Sequence, residues 1–576
     1  MKITFRSILV LAFALVCVVA CKPVVGPDGG VDNKPDAELD TTIQFTLQYC
    51  EDTILTALGQ DYSETIYEQS AAIKLTEAQL NAFVLNRIIK MSVGLHGQDK
   101  NAVSTQYSGL KFWIRAELNG EDIWSKEYTG DINLMSWNEM LLAPYFKIQE
   151  PVSDLYIGYT VQANGLIIGC DASQTPVKDG CYIYDCASKR WIQHTEMGNM
   201  CIKCVVSGEN MPQNDAALVA IETAEYAKPN VGYTFVATIA NRALEPLRSF
   251  DIVVKSGKNE YFRQNIELEK ALNRDEQYVF FVKDVKLPKE GEIDLEYVVE
   301  NVNGAELDDN VDDNTIVVKT VVAKNLVDKV ILLENMTGDA CSNCPAGHAY
   351  IEAAIEEVGT DKCIWVAHHA GYNAGKYTSN QSDTIASLFY NTQMTYAPGL
   401  MINRTNLLSV GVTTSGTPGG PIFSVNEVAS RGLLADYFRM MQSEMSPVAL
   451  DVQHTYNAET RELEVTVKGD ILAKLPNQDR LSFGIALLED ELKGSQAGVS
   501  GTYYHSHVCR DGLVSILGEV VNAEGNSFEL TRKKKLKDAF VPENMTIVVW
   551  VGNKPTKIND ANDYEVYQSY KVKLVK

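Results

Sequence analysis

Residues 331–348 read ILLENMTGDACSNCPAGH. The first seven are an apolar, strand-like run. Gly338-Asp339-Ala340 breaks it. A CxxC follows, Cys341-Ser342-Asn343-Cys344, and Pro345 opens the helical pattern PAGHAYIEAAIEEVG at 345–359. A CxxC between a strand and a helix is a candidate thiol–disulfide site, which a bare CxxC is not. Free N–H groups and the macrodipole at a helix N-terminus favour a thiolate on Cys341. Cys344, one turn on, is placed to resolve a mixed disulfide. Pro345 falls in the first turn, where its missing N–H costs little.

The pattern continues downstream: a strand (CIWVAHH, 363–369), a second helical stretch, a short strand (GLMINRT, 399–405) and a helix (VNEVASRGLLADYFRMMQSE, 425–444). Alternation of this kind means an α/β layer, assigned to residues 325–446. Tyr396-Ala397-Pro398-Gly399 stands just before the short strand, where thioredoxin-like folds place a cis-proline facing the CxxC; Ala397–Pro398 is expected to be cis. Three stretches together, ILLENMTGDACSNCPAGH, IWVAHHAG and YAPGLMINR, resemble the thioredoxin-like lipoproteins called 28-kDa outer-membrane-protein-related. Through YYHSHVCRDGL (503–513) the resemblance extends towards the C-terminus. It implies an outer-membrane lipoprotein with a thioredoxin fold and no defined activity. The sequence departs from redox-active thioredoxins at two points. The buried acid expected six residues before the first Cys is Asn335, with Glu334 turned to the other face by strand alternation. The aromatic expected before that Cys is Ala340.

The N-terminus supplies an address. Lys2 and Arg6 precede an apolar run at 8–19, too short and too early to span a bilayer, so residues 1–20 read as a signal peptide. Val18-Val19-Ala20-Cys21 resembles the bacterial lipobox, which makes Cys21 the lipid attachment site and the membrane a partner through that lipid. Residues 21–40 are rich in Pro, Gly and Asp and read as a tether. The expected location is the bacterial outer membrane, with the cell surface ranked ahead of the periplasmic face.

At 576 residues the chain exceeds what one core supports. Its formal charge is −24, and loss of Lys2 and Arg6 with the signal peptide takes it near −26. No basic face is visible, which excludes nucleic acid as a partner; KKK at 533–535 reads as a solvated strand face. Residues 41–205 read as a jelly-roll-like β domain, with the strands FWIRAEL, MLLAPYFKI and LYIGYTVQ and one amphipathic helix, LTEAQLNAFVLNRII (75–89). The spacing of Trp137, Tyr156, Gly158 and Tyr159 resembles adhesin-type surface domains. Residues 206–324 read as an immunoglobulin-like β-sandwich. Its acidic loop ELDDNVDDN (306–314) is read as a solvated turn ahead of a calcium site, because the EF-hand spacing and glycine are missing. Residues 447–576 read as a C-terminal β-sandwich.

Of 12 cysteines, Cys17 leaves with the signal peptide and Cys21 takes lipid. Cys341–Cys344 is one disulfide candidate. Cys170, Cys181, Cys186, Cys201 and Cys204 are candidates among themselves, ahead of zinc, because MCIKCVV reads as a strand and sends Cys201 and Cys204 to opposite sides. Their number is odd, and Cys50 is a candidate partner. Cys363 reads as a small buried side chain. One of His368 and His369 should lie near the CxxC, with His348 one turn past Cys344. His505 and His507 share a strand face and read as structural. No metal and no cofactor is assigned. The function ranked first is binding, towards proteins or glycans. The alternative is an envelope thiol–disulfide oxidoreductase in which Cys341 attacks, Cys344 resolves, Pro398 shapes the substrate groove, and protein thiols or disulfides are the substrates.

Overall fold

The computed structural model describes residues 41–60, 64–97, 106–171, 177–194, 198–371, 375–387, 397–410, 421–523, 525–555 and 564–575. Cys21, the signal peptide and the tether lie outside them. The chain is multidomain and mostly β, and it divides into two compact units, residues 1–213 and 214–576. No helix among the described residues is long and apolar enough to cross a membrane.

In the first unit, period-two strands build two six-stranded sheets with antiparallel pairing throughout. One runs Gln44–Gln48, Ile202–Ser207, Arg87–Leu95, Ile168–Cys170, Thr56–Leu58, with Ser136–Lys147 also paired to Arg87–Leu95. The other runs Arg190–Gln193, Tyr182–Asp185, Tyr67–Leu75, Leu155–Ala163, Tyr107–Arg115, Trp124–Glu127. Gly158 is required where it stands, since a Cβ there would lie 2.4 Å from the Trp113 ring. Strand Ile202–Ser207 pairs on both sides within this unit, so the unit reaches past residue 205. The helix expected over 75–89 is much shorter, Glu77–Asn81, capped by Thr76 and Gln79 in a reciprocal capping box. Leu85 at φ 67° breaks the path, and β-branched Ile88 and Ile89 enter the strand Arg87–Leu95. Tertiary pairing overrides helical periodicity there.

The second unit opens with a sandwich of a three-stranded sheet (Ala216–Glu222, Tyr233–Asn241, Gln277–Val285) and a five-stranded sheet (Tyr226–Ala227, Thr315–Val322, Gly291–Glu300, Leu247–Ser256, Asn259–Leu272). Phe235, Phe250, Leu295 and Tyr297 fill its core. The acidic loop closes against the first strand: the Ala216 N–H donates to Asp308 and the Asn214 N–H to Asp309.

The α/β layer and the C-terminal strands then share a single nine-stranded sheet. Strand Ile331–Thr337 lies parallel to Cys363–His369 and antiparallel to Gly399–Ile402. Cys363–His369 pairs in parallel with Val508–Gly512 through Ala367 and Val508, and that strand joins Leu481–Glu489, Met545–Asn553 and Val566–Lys573. The stretches read as residues 325–446 and 447–576 therefore form one continuous layer. A three-stranded sheet (Val448–Asn457, Glu462–Ile471, Ser527–Lys535) completes the C-terminal sandwich. Along Glu462–Ile471 inward Leu463, Val465 and Val467 alternate with outward polar residues, as a half-buried strand requires. Helix Cys344–Val358 covers one face of Ile331–Thr337, where Ile331 and Leu333 meet Ile351. Helix Asn380–Ser387 covers the other, where Leu332 and Met336 meet Ile385.

Candidate functional site

Cys341 and Cys344 are joined in a disulfide. The helix starts at Cys344, with Asn343 as N-cap, so Cys341 lies in the turn ahead of it. Pro398 follows a cis Ala397–Pro398 bond and packs on this helix: a Cβ on Gly347 would lie 2.7 Å from Pro398 Cβ. The topology thus brings Cys341, Cys344 and Pro398 together from three segments of chain.

Asn335 shares the helix-covered face of Ile331 and Leu333. Its Nδ2 donates to the Gly399 carbonyl at 2.8 Å, and its Oδ1 has no protein partner. A carboxamide can hold the Pro398 segment in place, but it cannot accept a proton from Cys344. Glu334 faces the opposite way and is 1 % exposed. Arg404 grips it with two hydrogen bonds, Nε to Oε2 at 2.6 Å and Nη2 to Oε1 at 2.8 Å, and His368 Nε2 stands 3.3 Å from Oε1. Burial alone would raise the Glu334 carboxyl, but the charge and hydrogen bonds of Arg404 and His368 outweigh it and hold it down at about 2. This acid is committed to structure on the far side of the sheet from the disulfide.

Five of the eight histidines gather in this layer: His348, His368, His369, His505 and His507. His368 turns towards Glu334, while His369 turns to the disulfide side, where its ring packs 5.1 Å from His505 and 5.6 Å from Tyr377. His348 Nε2 is 2.9 Å from Thr337 Oγ1 and its Nδ1 3.3 Å from Tyr503 Oη. His507 stacks near Trp365. Burial, then the neighbouring imidazoles, holds His348 down at about 4 and His369 at about 3, so both rings are neutral at pH 7. His505 and His507 thus line the same cluster as the CxxC helix.

A feature invisible in the linear sequence sits over the disulfide. The hairpin Leu492–Gly494 with Tyr503–His505 carries a connecting loop across residues 338–342. Gln496, 3 % exposed, donates through Nε2 to the Cys341 carbonyl at 2.7 Å and the Gly338 carbonyl at 3.1 Å. The Ala497 N–H donates to the Asp339 carbonyl at 2.8 Å. Beneath this loop Cys341 is only 5 % exposed and Cys344 is fully buried. GSQAGVSG reads in sequence as a turn-rich connection, and nothing in it names its contact.

The remaining candidates behave differently. Rather than forming disulfides among themselves, Cys170, Cys181, Cys186, Cys201 and Cys204 are all free thiols here. Geometry supplies the reason. Cys181 donates to the Val177 and Lys178 carbonyls and Cys186 to the Glu68 carbonyl, while Cys170 lies against Met200 Sδ at 3.9 Å. Cys201 clusters with Cys50 and Ile54; its hydrogen bond to Cys50, and then burial, pushes its thiol up. Cys363 is buried at the start of its strand. Beside the first strand of the sandwich, burial and then the carboxylates of the acidic loop push Asp215 up to about 8, and within that loop burial and then Asp308 push Asp313 up to about 7. Among the described residues no group of three or more His, Cys, Asp or Glu side chains is arranged to hold a metal ion.

No family model matches the chain, and no curated protein matches it by sequence. Among solved structures it is similar to HBP35 of Porphyromonas gingivalis, at 19 % identity over 43 % of this chain and 76 % of that one, with a TM-score of 0.34. Two shorter likenesses are the CARDB domain of the PF1109 protein from Pyrococcus furiosus, solved with di-metal ions (14 % identity, 19 % of this chain and 96 % of that one, TM-score 0.16), and a putative cell surface protein domain from Methanosarcina acetivorans (18 %, 20 % and 95 %, TM-score 0.17). At these scores the likenesses carry no functional argument.

Proposed function

We propose that the mature protein is an outer-membrane lipoprotein, held by lipid on Cys21, that works by binding proteins or glycans through its β modules and carries a thioredoxin-like domain of the 28-kDa outer-membrane-protein-related type. The observation that carries the binding reading is the cover over the thiol site. With Cys341 5 % exposed, this form offers a macromolecular substrate no accessible sulfur, whereas β sheets make up most of the chain. The test is a glycan array and a protein pull-down with the lipid-free chain. A ligand bound equally well by Cys341→Ser supports the reading; binding lost in that variant counts against it. Protease shaving of intact cells tests display on the surface.

A second reading, an envelope thiol–disulfide oxidoreductase, is favoured by the placement of the disulfide at the start of helix Cys344–Val358 and of Pro398 against Gly347 of that helix. Cys341 would attack, Cys344 would resolve, and Pro398 would border the groove. Insulin reduction tests it, and absence of turnover with the fully reduced protein sinks it.

A further inference from the structure

We propose that residues 495–502 form a gate over the Cys341–Cys344 disulfide, closed in this structure, and that a thiol partner reaches Cys341 only when the gate swings out. The inference deepens the thiol–disulfide reading and rests on it. Three independent contacts close the gate. Gln496 ties the Gly338 and Cys341 carbonyls with one side chain, while its own buried Oε1 has no protein partner. The Ala497 amide pairs with the Asp339 carbonyl, the backbone bond that an added extended segment would make. Gly498, at φ 82°, brings its backbone against Ser342 inside the CxxC, where a Cβ would lie 2.9 Å from the Ser342 carbonyl oxygen. The ends are anchored too: Tyr377 Oη donates to the Lys493 carbonyl, His505 Nε2 lies 3.2 Å from the Ser495 carbonyl, and Tyr503 reaches His348.

Between these anchors the loop is built to move. Gly498 and Gly501 both have positive φ, 82° and 92°, which glycine adopts at no steric cost, and residues 498–502 are exposed. Gly501 lies beyond the grip and can serve as the hinge, and opening breaks the two Gln496 hydrogen bonds and the Ala497 backbone bond. The segment Gln496–Gly498 occupies the place an extended polypeptide would take beside Cys341, so the gate and a peptide substrate compete for one seat.

With the gate open, exchange is ordinary. A partner thiolate attacks Cys341 Sγ, the bond to Cys344 breaks, and Cys344 leaves as a thiolate that takes up a proton. A second thiol of the same dithiol attacks the mixed disulfide, which frees Cys341 and leaves the partner oxidised by two electrons.

The test uses the full exported chain and a reductant that needs no catalysis, tris(2-carboxyethyl)phosphine, with mass-resolved alkylation counting new thiols at Cys341 and Cys344. In the wild type the reduction rate should level off at high phosphine, because opening becomes limiting. Gln496→Ala should raise the rate at low phosphine by about tenfold, the expected effect of losing a buried hydrogen-bonded grip. Amide exchange at Ala497 in the unsubstituted protein should report the same opening rate as the plateau. A wild-type rate that stays linear in phosphine, or an unchanged rate in Gln496→Ala, overturns the gate. The insulin assay separates the two ideas: no turnover in either form with a plateau intact sinks the oxidoreductase and keeps the gate, whereas turnover without a plateau does the reverse.

Discussion

Replacing Arg404 by Met should destabilise the α/β layer by about 3 kcal/mol at pH 7, and by much less in acid. Arg404 holds the buried Glu334 carboxylate by two hydrogen bonds and also donates to the Ile516 carbonyl at 2.9 Å. The fall of the Glu334 value from 4.5 to about 2 is worth about 3 kcal/mol, at about 1.4 kcal/mol per pH unit, within the range for breaking a buried ion pair. The sign follows from the lowered value. The contribution is complete above pH 4.5 and is lost as pH falls towards 2. In Arg404→Met only His368 still opposes burial, so the carboxyl rises, acid protonates it in the fold and the penalty shrinks. The assay is hydrogen exchange at the amides of residues 332–336 with urea unfolding followed by the emission of Trp550, whose ring lies 5.0 Å from the Arg404 guanidinium. Glu334→Gln with Arg404→Met should recover part of the loss, because no uncompensated charge then remains. A loss under about 1 kcal/mol at pH 7, or a double variant no better than the single, refutes the assignment of the stabilisation to this pair.

Other consequences are as direct. Because His348 and His369 are held near 4 and 3 against an ordinary 6.5, the unfolded chain binds protons first; stability should fall as pH drops from 6.5 towards 4, and His348→Phe should flatten that slope in melting curves at pH 7 and 5. Gly347→Ala places a Cβ 2.7 Å from Pro398 and should cost about 1–3 kcal/mol, read as a lower melting temperature; an unchanged melt would mean the Pro398 segment yields freely. The antiparallel register that sets Gln44 opposite Ser207 and Gln48 opposite Lys203, carried two residues on, sets Cys50 opposite Cys201. Glutathione disulfide should therefore join these two, and peptide mapping that finds Cys201 linked to Cys170 instead would show the register argument wrong.

What could be read from the chain depends on the range of the forces involved. The strand–CxxC–helix order was legible because periods of 2 and 3.6 and the chemistry of a helix N-terminus are local properties of residues 331–359. The opposite facing of Glu334 and Asn335 follows from the same alternation. The helix over 75–89 was misread because its apolar period is satisfied equally by a short capped turn and a strand, and only the pairing of Arg87–Leu95 with three other strands decides between them. The pairing of the five clustered cysteines was not legible for a similar reason: nearness in sequence is not opposition across a sheet, and the residue that the extended register sets opposite Cys201 is 151 residues away.

The continuity of the nine-stranded sheet was the least legible feature and has the largest consequence. Had the C-terminal strands formed a separate sandwich on a linker, the loop after Gly494 would have faced solvent. The parallel step from Ala367 to Val508 instead fixes the hairpin to the same layer as the CxxC helix. That step sets His505 against His369 and Gln496 over Cys341. Backbone pairing at Ala367 and Val508 thus seats the hairpin on the sheet itself rather than on a tether.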